Sequence, residues 1–175
     1  MPDIDVPYVS QGDEDLGCVP ATVKMLVEFY SAKYPDLPNP QIGVIKKAMN
    51  YRMDDGVSLD GVVGVNRVLV GSSHRLDFEW IDFAEFRDIT EALDSGNPII
   101  AWMKPDKDDE YSHSVVIKGR TEDDLELKVN DPDPATTGGN RKTSDFMREW
   151  TNSDRILIRA KVTERPHQRE LTDYP

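Results

Sequence analysis

From His113 to Asp131 the sequence alternates in a way that admits few folds. Two strand-like runs, residues 113–119 and 125–131, are joined by Arg120-Thr121-Glu122-Asp123-Asp124. Pairing them antiparallel about Glu122 sets Gly119 opposite Leu125, Ile117 opposite Leu127, Val115 opposite Val129, and His113 opposite Asp131. One face then carries His113, Val115, Ile117, Leu127, Val129 and Asp131. The other carries Ser114, Val116, Lys118, Glu126, Lys128 and Asn130 and is largely polar. A one-residue slip would mix the two sets, so the pattern selects this register. Opposed side chains have Cβ atoms about 4.5–5.5 Å apart. The alternation therefore predicts a hydrogen bond from the His113 ring to the Asp131 carboxylate.

The only cysteine of the chain lies far upstream, in Gln11-Gly12-Asp13-Glu14-Asp15-Leu16-Gly17-Cys18-Val19-Pro20-Ala21-Thr22. Apolar residues then recur at helical spacing: Val19, Val23, Leu26, Val27 and Tyr30. Proline is tolerated only in the first turn of a helix, so Pro20 fixes Cys18 at the N-terminus. A thiol there sits at the positive end of the helix dipole, and a nearby imidazolium lowers its pKa further. The Cys18 amide is one of the helix's unpaired N–H groups and is a natural oxyanion donor. Gln11 can add a second donor through its side-chain amide. Cys18 as nucleophile, His113 as base and Asp131 as its orienter spell thiol-dependent acyl transfer. A buried structural cysteine is the plainer alternative, because free cysteine often serves only as a small hydrophobe.

The remaining elements follow in order. A helix is predicted over 40–50, a turn at Asp54-Asp55-Gly56, and a helix capped by Ser58 running to Val70. Strands are predicted over 76–81, 98–103 and 155–162, and helices over 83–93 and 143–150. Helices come first and strands later, which argues an α+β domain over 1–162. Residues 163–175 read as a polar, mobile tail. Gly138-Gly139-Asn140-Arg141-Lys142-Thr143 reads as a flexible loop rimming the cleft. Trp80, Trp102 and Trp150 read as core, His74 as a surface residue at a strand entrance, and His167 as part of the tail.

The net charge of −12 argues against nucleic acid and anionic membranes as partners. Acidic runs such as Asp106-Lys107-Asp108-Asp109-Glu110 read as solvated surface, with adaptation to high salt as the sharper reading. No apolar run approaches the roughly 18 residues of a membrane span, and Met1-Pro2-Asp3-Ile4-Asp5 is unlike a signal peptide. One cysteine forms no internal disulfide, so a cytoplasmic setting is expected. The residues call for no metal and no cofactor, and they do not specify an oligomeric state.

Gln11, Gly17-Cys18-Val19-Pro20-Ala21, Ser112-His113-Ser114-Val115-Val116-Ile117-Lys118-Gly119 and Val129-Asn130-Asp131-Pro132, in that order, resemble the papain-like C39 peptidases. That group holds bacteriocin-leader-processing domains and many stand-alone relatives. Gly56-Val57-Ser58-Leu59, the Leu93-to-Ile100 step and Phe146 with Trp150 extend the likeness through most of the chain. The resemblance implies a helical lobe packed on a C-terminal antiparallel sheet. It implies that Gln11 supports the oxyanion hole, with Cys18, His113 and Asp131 as the triad. A peptide or protein substrate, cut through a thioester, follows from it. Val19 stands where the family usually has glycine, and its branched side chain narrows the site. An amidase or an acyl or peptidyl transferase would use the same residues. A non-catalytic binding module of toxin–immunity type would be the alternative from another class.

Overall fold

The structure, a computed structural model, describes residues 3–14, 16–136 and 138–165. Three helices lead: α1 (Cys18–Lys33), α2 (Ile42–Ala48) and α3 (Leu59–Gly64), the last running into a 3₁₀ turn, Val65–Val68. Then follow β1 (His74–Ile81), α4 (Phe86–Asp94), β2 (Ile99–Met103), β3 (His113–Arg120), β4 (Glu126–Asn130), β5 (Gly139–Lys142), α5 (Thr143–Thr151) and β6 (Leu157–Glu164). The six strands form one antiparallel sheet in the order β1-β6-β2-β3-β4-β5. The architecture is α+β, as the element order predicts.

Strand alternation divides the core between the two faces. Ile100, Val116 and Ile158 face α1, α2 and α3, where Val23, Leu26, Ile45 and Val62 pack on them. Ile99, Ala101, Val115, Ile117 and Leu157 face the other way, against Ile89 and Leu93 of α4 and Phe146 and Trp150 of α5. Helices therefore cover both faces, and the hairpin face expected to be polar is covered where it matters: Ser114, Val116 and Asn130 are buried. The α1 helix is likewise enclosed on nearly every side rather than along one stripe. Its one buried cation, Lys24, is neutralised by Glu28 at 3.1 Å and bonded to Asn39. Ser58 caps α3 as expected, its hydroxyl accepting the Gly61 N–H at 3.1 Å.

The hairpin register departs from the expected one. Ile117 pairs with Val129 and Val116 with Asn130, so each partner lies two positions beyond the one predicted. The turn is the cause: Thr121 N–H donates to the Glu126 carbonyl at 2.9 Å, with Leu125 left exposed in the loop. A bulge at Lys118 then absorbs one residue, and its carbonyl accepts the Ile4 N–H instead. A shift of two preserves the side-chain faces, because the strand period is two. His113 and Asp131 remain on one side as diagonal neighbours rather than directly opposite.

Other expectations need correcting. Residues 138–143 are not a loose loop: Gly139–Lys142 is the edge strand β5, paired along β4. Its Arg141 forms an ion pair with Glu149 of α5. Trp80 is 38% exposed on the sheet edge, whereas Trp150 is fully buried with its indole N–H donating to the Ile156 carbonyl. The β6 strand continues through Glu164, two residues past the expected end. His167 lies outside the described residues, as does the tail from residue 166.

Candidate active site

Cys18 opens α1, and Gly17 precedes it because the approach there is close. A Cβ on Gly17 would stand 3.3 Å from both the Gln11 Cβ and the Gln11 carbonyl oxygen. As the first helical residue, Cys18 has no carbonyl four residues back in the helix to take its N–H. The helix packs across β3, which brings the thiol to the end of the sheet where His113 stands. The side chain of Cys18 is buried, and its sulfur points at the Ser112 carbonyl, 4.0 Å away.

His113 is held from behind. Its Nε2 meets Asp131 Oδ1 at 2.7 Å, so Nδ1 is left for the thiol. The same Oδ1 accepts the Asp133 backbone N–H at 3.0 Å, a turn that fixes the carboxylate. Asp131 lies just past the last residue of β4 and stays in place through two further contacts. Gln11 N–H donates to the Pro132 carbonyl at 2.9 Å. Gly138, at φ +95°, passes so close that a Cβ would sit 2.3 Å from the Val129 carbonyl oxygen and 2.8 Å from Asp131 N.

These contacts set the charges. Burial pushes the Cys18 thiol up, but the His113 hydrogen bond, its positive charge and hydrogen bonds from Ser114 outweigh it, and the pKa falls below its ordinary value. Burial works against a charged His113 ring, but the Asp131 hydrogen bond and then the Cys18 sulfur lift its pKa to about 10. Asp131 moves opposite to what its burial would impose, because His113 and the Asp133 N–H stabilise the carboxylate. The two shifts are complementary: each favours the charged form of its group beside the charged form of the other.

Gln11 is placed beside Gly17, next to Cys18, but its amide does not point freely into the site. Its Nε2 donates one hydrogen to the Glu14 carbonyl at 3.0 Å, leaving the second hydrogen available, and its buried Oε1 has no partner. Glu14 is itself tied to Lys46 of α2. Beside the thiol lies a cavity of about 180 Å³, walled by Cys18, Val19, Gly56 and Trp102, with Asp55 and Glu110 among its lining residues. The Tyr111 hydroxyl donates to the Asp54 carbonyl at 3.2 Å, linking the two loops over this cavity.

Several neighbours escape a sequence reading. Alternation puts Ser114 away from His113, yet Ser114 is among the groups that lower the Cys18 pKa, and its hydroxyl meets Thr22 of α1 at 3.2 Å. Asn130, also on the far face, donates to the Val6 carbonyl at 3.0 Å and holds the N-terminal lead-in. The cavity wall joins residues from segments around 16–19, 55–57, 102 and 110–112, which no local spacing relates. Among the described residues, no group of three or more His, Cys, Asp or Glu side chains is arranged to hold a metal. Nor, among them, is any helix long and apolar enough to cross a membrane.

With this geometry in hand, the likeness to known proteins can be placed. The peptidase domain of Streptococcus ComA, a bi-functional ABC transporter of a quorum-sensing pathway, superposes with a TM-score of 0.66 at 21% identity, covering 87% of this chain and 96% of that one. A Bacillus anthracis protein described as a C39-like peptidase gives 0.69 at 11% identity, covering 94% of this chain and 100% of that one. The N-terminal C39-like domain of a Vibrio parahaemolyticus toxin-secretion ATP-binding protein gives 0.53 at 11% identity, over 83% of this chain and 96% of that one. At these identities the superpositions establish the papain-like C39 fold. No curated protein sequence matches the chain. The sequence profile of the Peptidase_C39-like family matches residues 3–157, nearly the whole of what is described. The chain belongs to the C39-like peptidase family.

Proposed function

We propose that the protein hydrolyses a peptide or related amide bond through a thioester on Cys18. The observation that carries this reading is the His113 ring, bonded to Asp131 on one nitrogen and turned to the Cys18 thiol with the other. The thiolate attacks the amide carbonyl carbon, and the oxygen gains negative charge. The Cys18 N–H and the free hydrogen of the Gln11 amide are the donors for that oxyanion. As the carbon–nitrogen bond breaks, His113 gives its Nδ1 proton to the departing amine. Water then attacks the thioester, His113 takes its proton, and the thiolate leaves. Asp131 keeps the imidazolium stabilised and the ring oriented throughout. No step calls for a metal or cofactor.

The substrate is a peptide or protein segment that can lie along the cleft between α1 and the end of β3. The cavity beside the thiol is small, and Val19 takes up the room that a glycine would leave. Because the thiol must stay reduced, activity belongs in a reducing compartment such as the cytoplasm.

The test is digestion of an unbiased peptide library, read by mass spectrometry, with wild-type protein and Cys18→Ala. Cleavage by the wild type alone is expected, together with a Cys18-linked acyl group that hydroxylamine releases. Release of the acyl group to an added amine in preference to water would make the protein a transferase. If neither cleavage nor an acylated Cys18 appears, although the thiol ionises at low pH, the protein is a binding module.

A further inference from the structure

Thr22 follows Cys18 by one helical turn and Ser114 follows His113 directly, so the two hydroxyls come from the same two segments as nucleophile and base. They meet at 3.2 Å where α1 crosses β3, and both residues are fully buried. Buried hydroxyls at an otherwise apolar helix–strand contact need partners, and here they are each other's, with the Val19 carbonyl as a third.

We infer that Ser114 is a positioning residue for the nucleophile, its hydroxyl turning from Thr22 to the Cys18 sulfur when the thiol loses its proton. The inference rests on Cys18 acting as the nucleophile. A hydroxyl has one proton to give. That of Thr22 is committed to the Val19 carbonyl at 3.0 Å. Thr22 Oγ1 can therefore only accept from Ser114, and Ser114 is the donor between them while the sulfur is protonated. In that state the S–H has the Ser112 carbonyl as its acceptor. Once the sulfur is charged, a hydrogen bond to it is about twice as strong as one between neutral groups. The Ser114 O–H turns to it, and Ser114 accordingly helps His113 to lower the thiol's pKa. Thr22 loses one bond and keeps the other, so nothing is stranded. The charged groups around the sulfur are His113 on β3, Asp131 behind it, and Asp55 and Glu110 across the adjoining cavity. Only His113 is a cation, and Ser114 supplies neutral donors that stay in place whatever the charge on the ring.

The single cysteine makes the test clean, since all alkylation by iodoacetamide reports on Cys18. Alkylation rate is measured against pH for the wild type, Ser114→Ala, Ser114→Thr and Thr22→Val. Ser114→Ala should slow alkylation about tenfold or more at pH values below the midpoint, the loss of one hydrogen bond to a charged group. Ser114→Thr, which keeps a hydroxyl, should restore most of that rate. Thr22→Val leaves the Ser114 proton no acceptor but the sulfur, so its alkylation at low pH should be as fast as the wild type or faster. A wild-type profile for Ser114→Ala would overturn the inference. So would slowing by Thr22→Val as large as that by Ser114→Ala, which would make the pair a packing contact. If Ser114→Ala does not fold, the Thr22→Val profile decides alone. A wild-type midpoint at the free-thiol value of about 8.5 is a different failure, which removes Cys18 as nucleophile.

Discussion

His113 meets Asp131 at 2.7 Å and His74 meets Asp36 at 2.6 Å, so two nearly identical imidazole–carboxylate pairs stand in one molecule. They differ in what occupies the rest of each ring's surroundings. His113 has a thiol on its far side and a carboxylate whose side chain is only 10% exposed. His74 lies against the Tyr34 ring, with centroids 5.0 Å apart, and its Asp36 is 22% exposed. Asp36 spends its other bonds on the backbone N–H groups of Ser73 and His74, at 2.8 and 2.9 Å, tying the entry of β1 to the loop after α1. One pair faces a thiol, where the proposed reaction would move a proton, and the other fastens a strand. An imidazole beside a carboxylate is thus no sign of chemistry until a third, reactive group completes it.

The comparison breaks most easily at the rings themselves. His113→Ala should cut turnover by on the order of 10²–10⁴ and slow alkylation of Cys18 at pH 6. His74→Ala should change neither. Equal losses from both would mean that the first pair, like the second, only supports the fold.

A smaller effect is expected at the carboxylates. Asp131→Asn keeps the size and the turn but removes the charge that lifts His113. The proposed reaction uses thiolate and imidazolium together, so activity should rise as the lowered thiol ionises and fall as the ring loses its proton near pH 10. The variant should lose on the order of 10² in kcat, and its alkaline limb should move down in pH. An alkaline limb left in place would mean that Asp131 does not set the charge on the ring.

The smallest effect concerns stability alone. Hydrogen bonds from the Ser73 N–H and from His74 hold the Asp36 pKa down at about 2. A depressed carboxylate contributes stability above its unfolded value, and that contribution is lost as pH falls through the folded value. The wild type should therefore lose it between about pH 4 and pH 2. Asp36→Asn should unfold more readily at neutral pH, differ less from the wild type at pH 2, and retain activity. A constant difference across that range would show that Asp36 acts by packing.

The site was legible where chemistry and local pattern coincide. Pro20 places Cys18 at a helix start, and the alternation of 113–131 keeps His113 and Asp131 on one face. The register itself was misread, because a turn that swallows Leu125 and a bulge at Lys118 depend on contacts with Ile4 and Thr121 that strand periodicity does not encode. Only the even size of the error spared the pairing. The β5 strand was hidden because Gly139-Asn140-Arg141-Lys142 has no apolar alternation; it is a polar edge held by β4 and by Glu149. Trp80 looked like core because a large ring in a strand usually is, but β1 closes the sheet edge and leaves that ring half in water. Ser114 faces away from His113 as the alternation has it, but nothing in the local pattern shows that α1 covers that face and sets Thr22 against it.

Gly138 brings no functional group to the site, yet it limits how far the chain can vary there. The close approach of its Cα to the Val129 carbonyl and Asp131 N leaves no volume for even a methyl group. Alanine at 138 would displace the end of β4, and with it the carboxylate whose position relative to the His113 ring is set to within a hydrogen-bond length. A mutational survey scored only by activity would rank this glycine beside the triad. One scored by thiol alkylation at high pH, where no hydrogen bond from His113 is needed, would rank it with the surface.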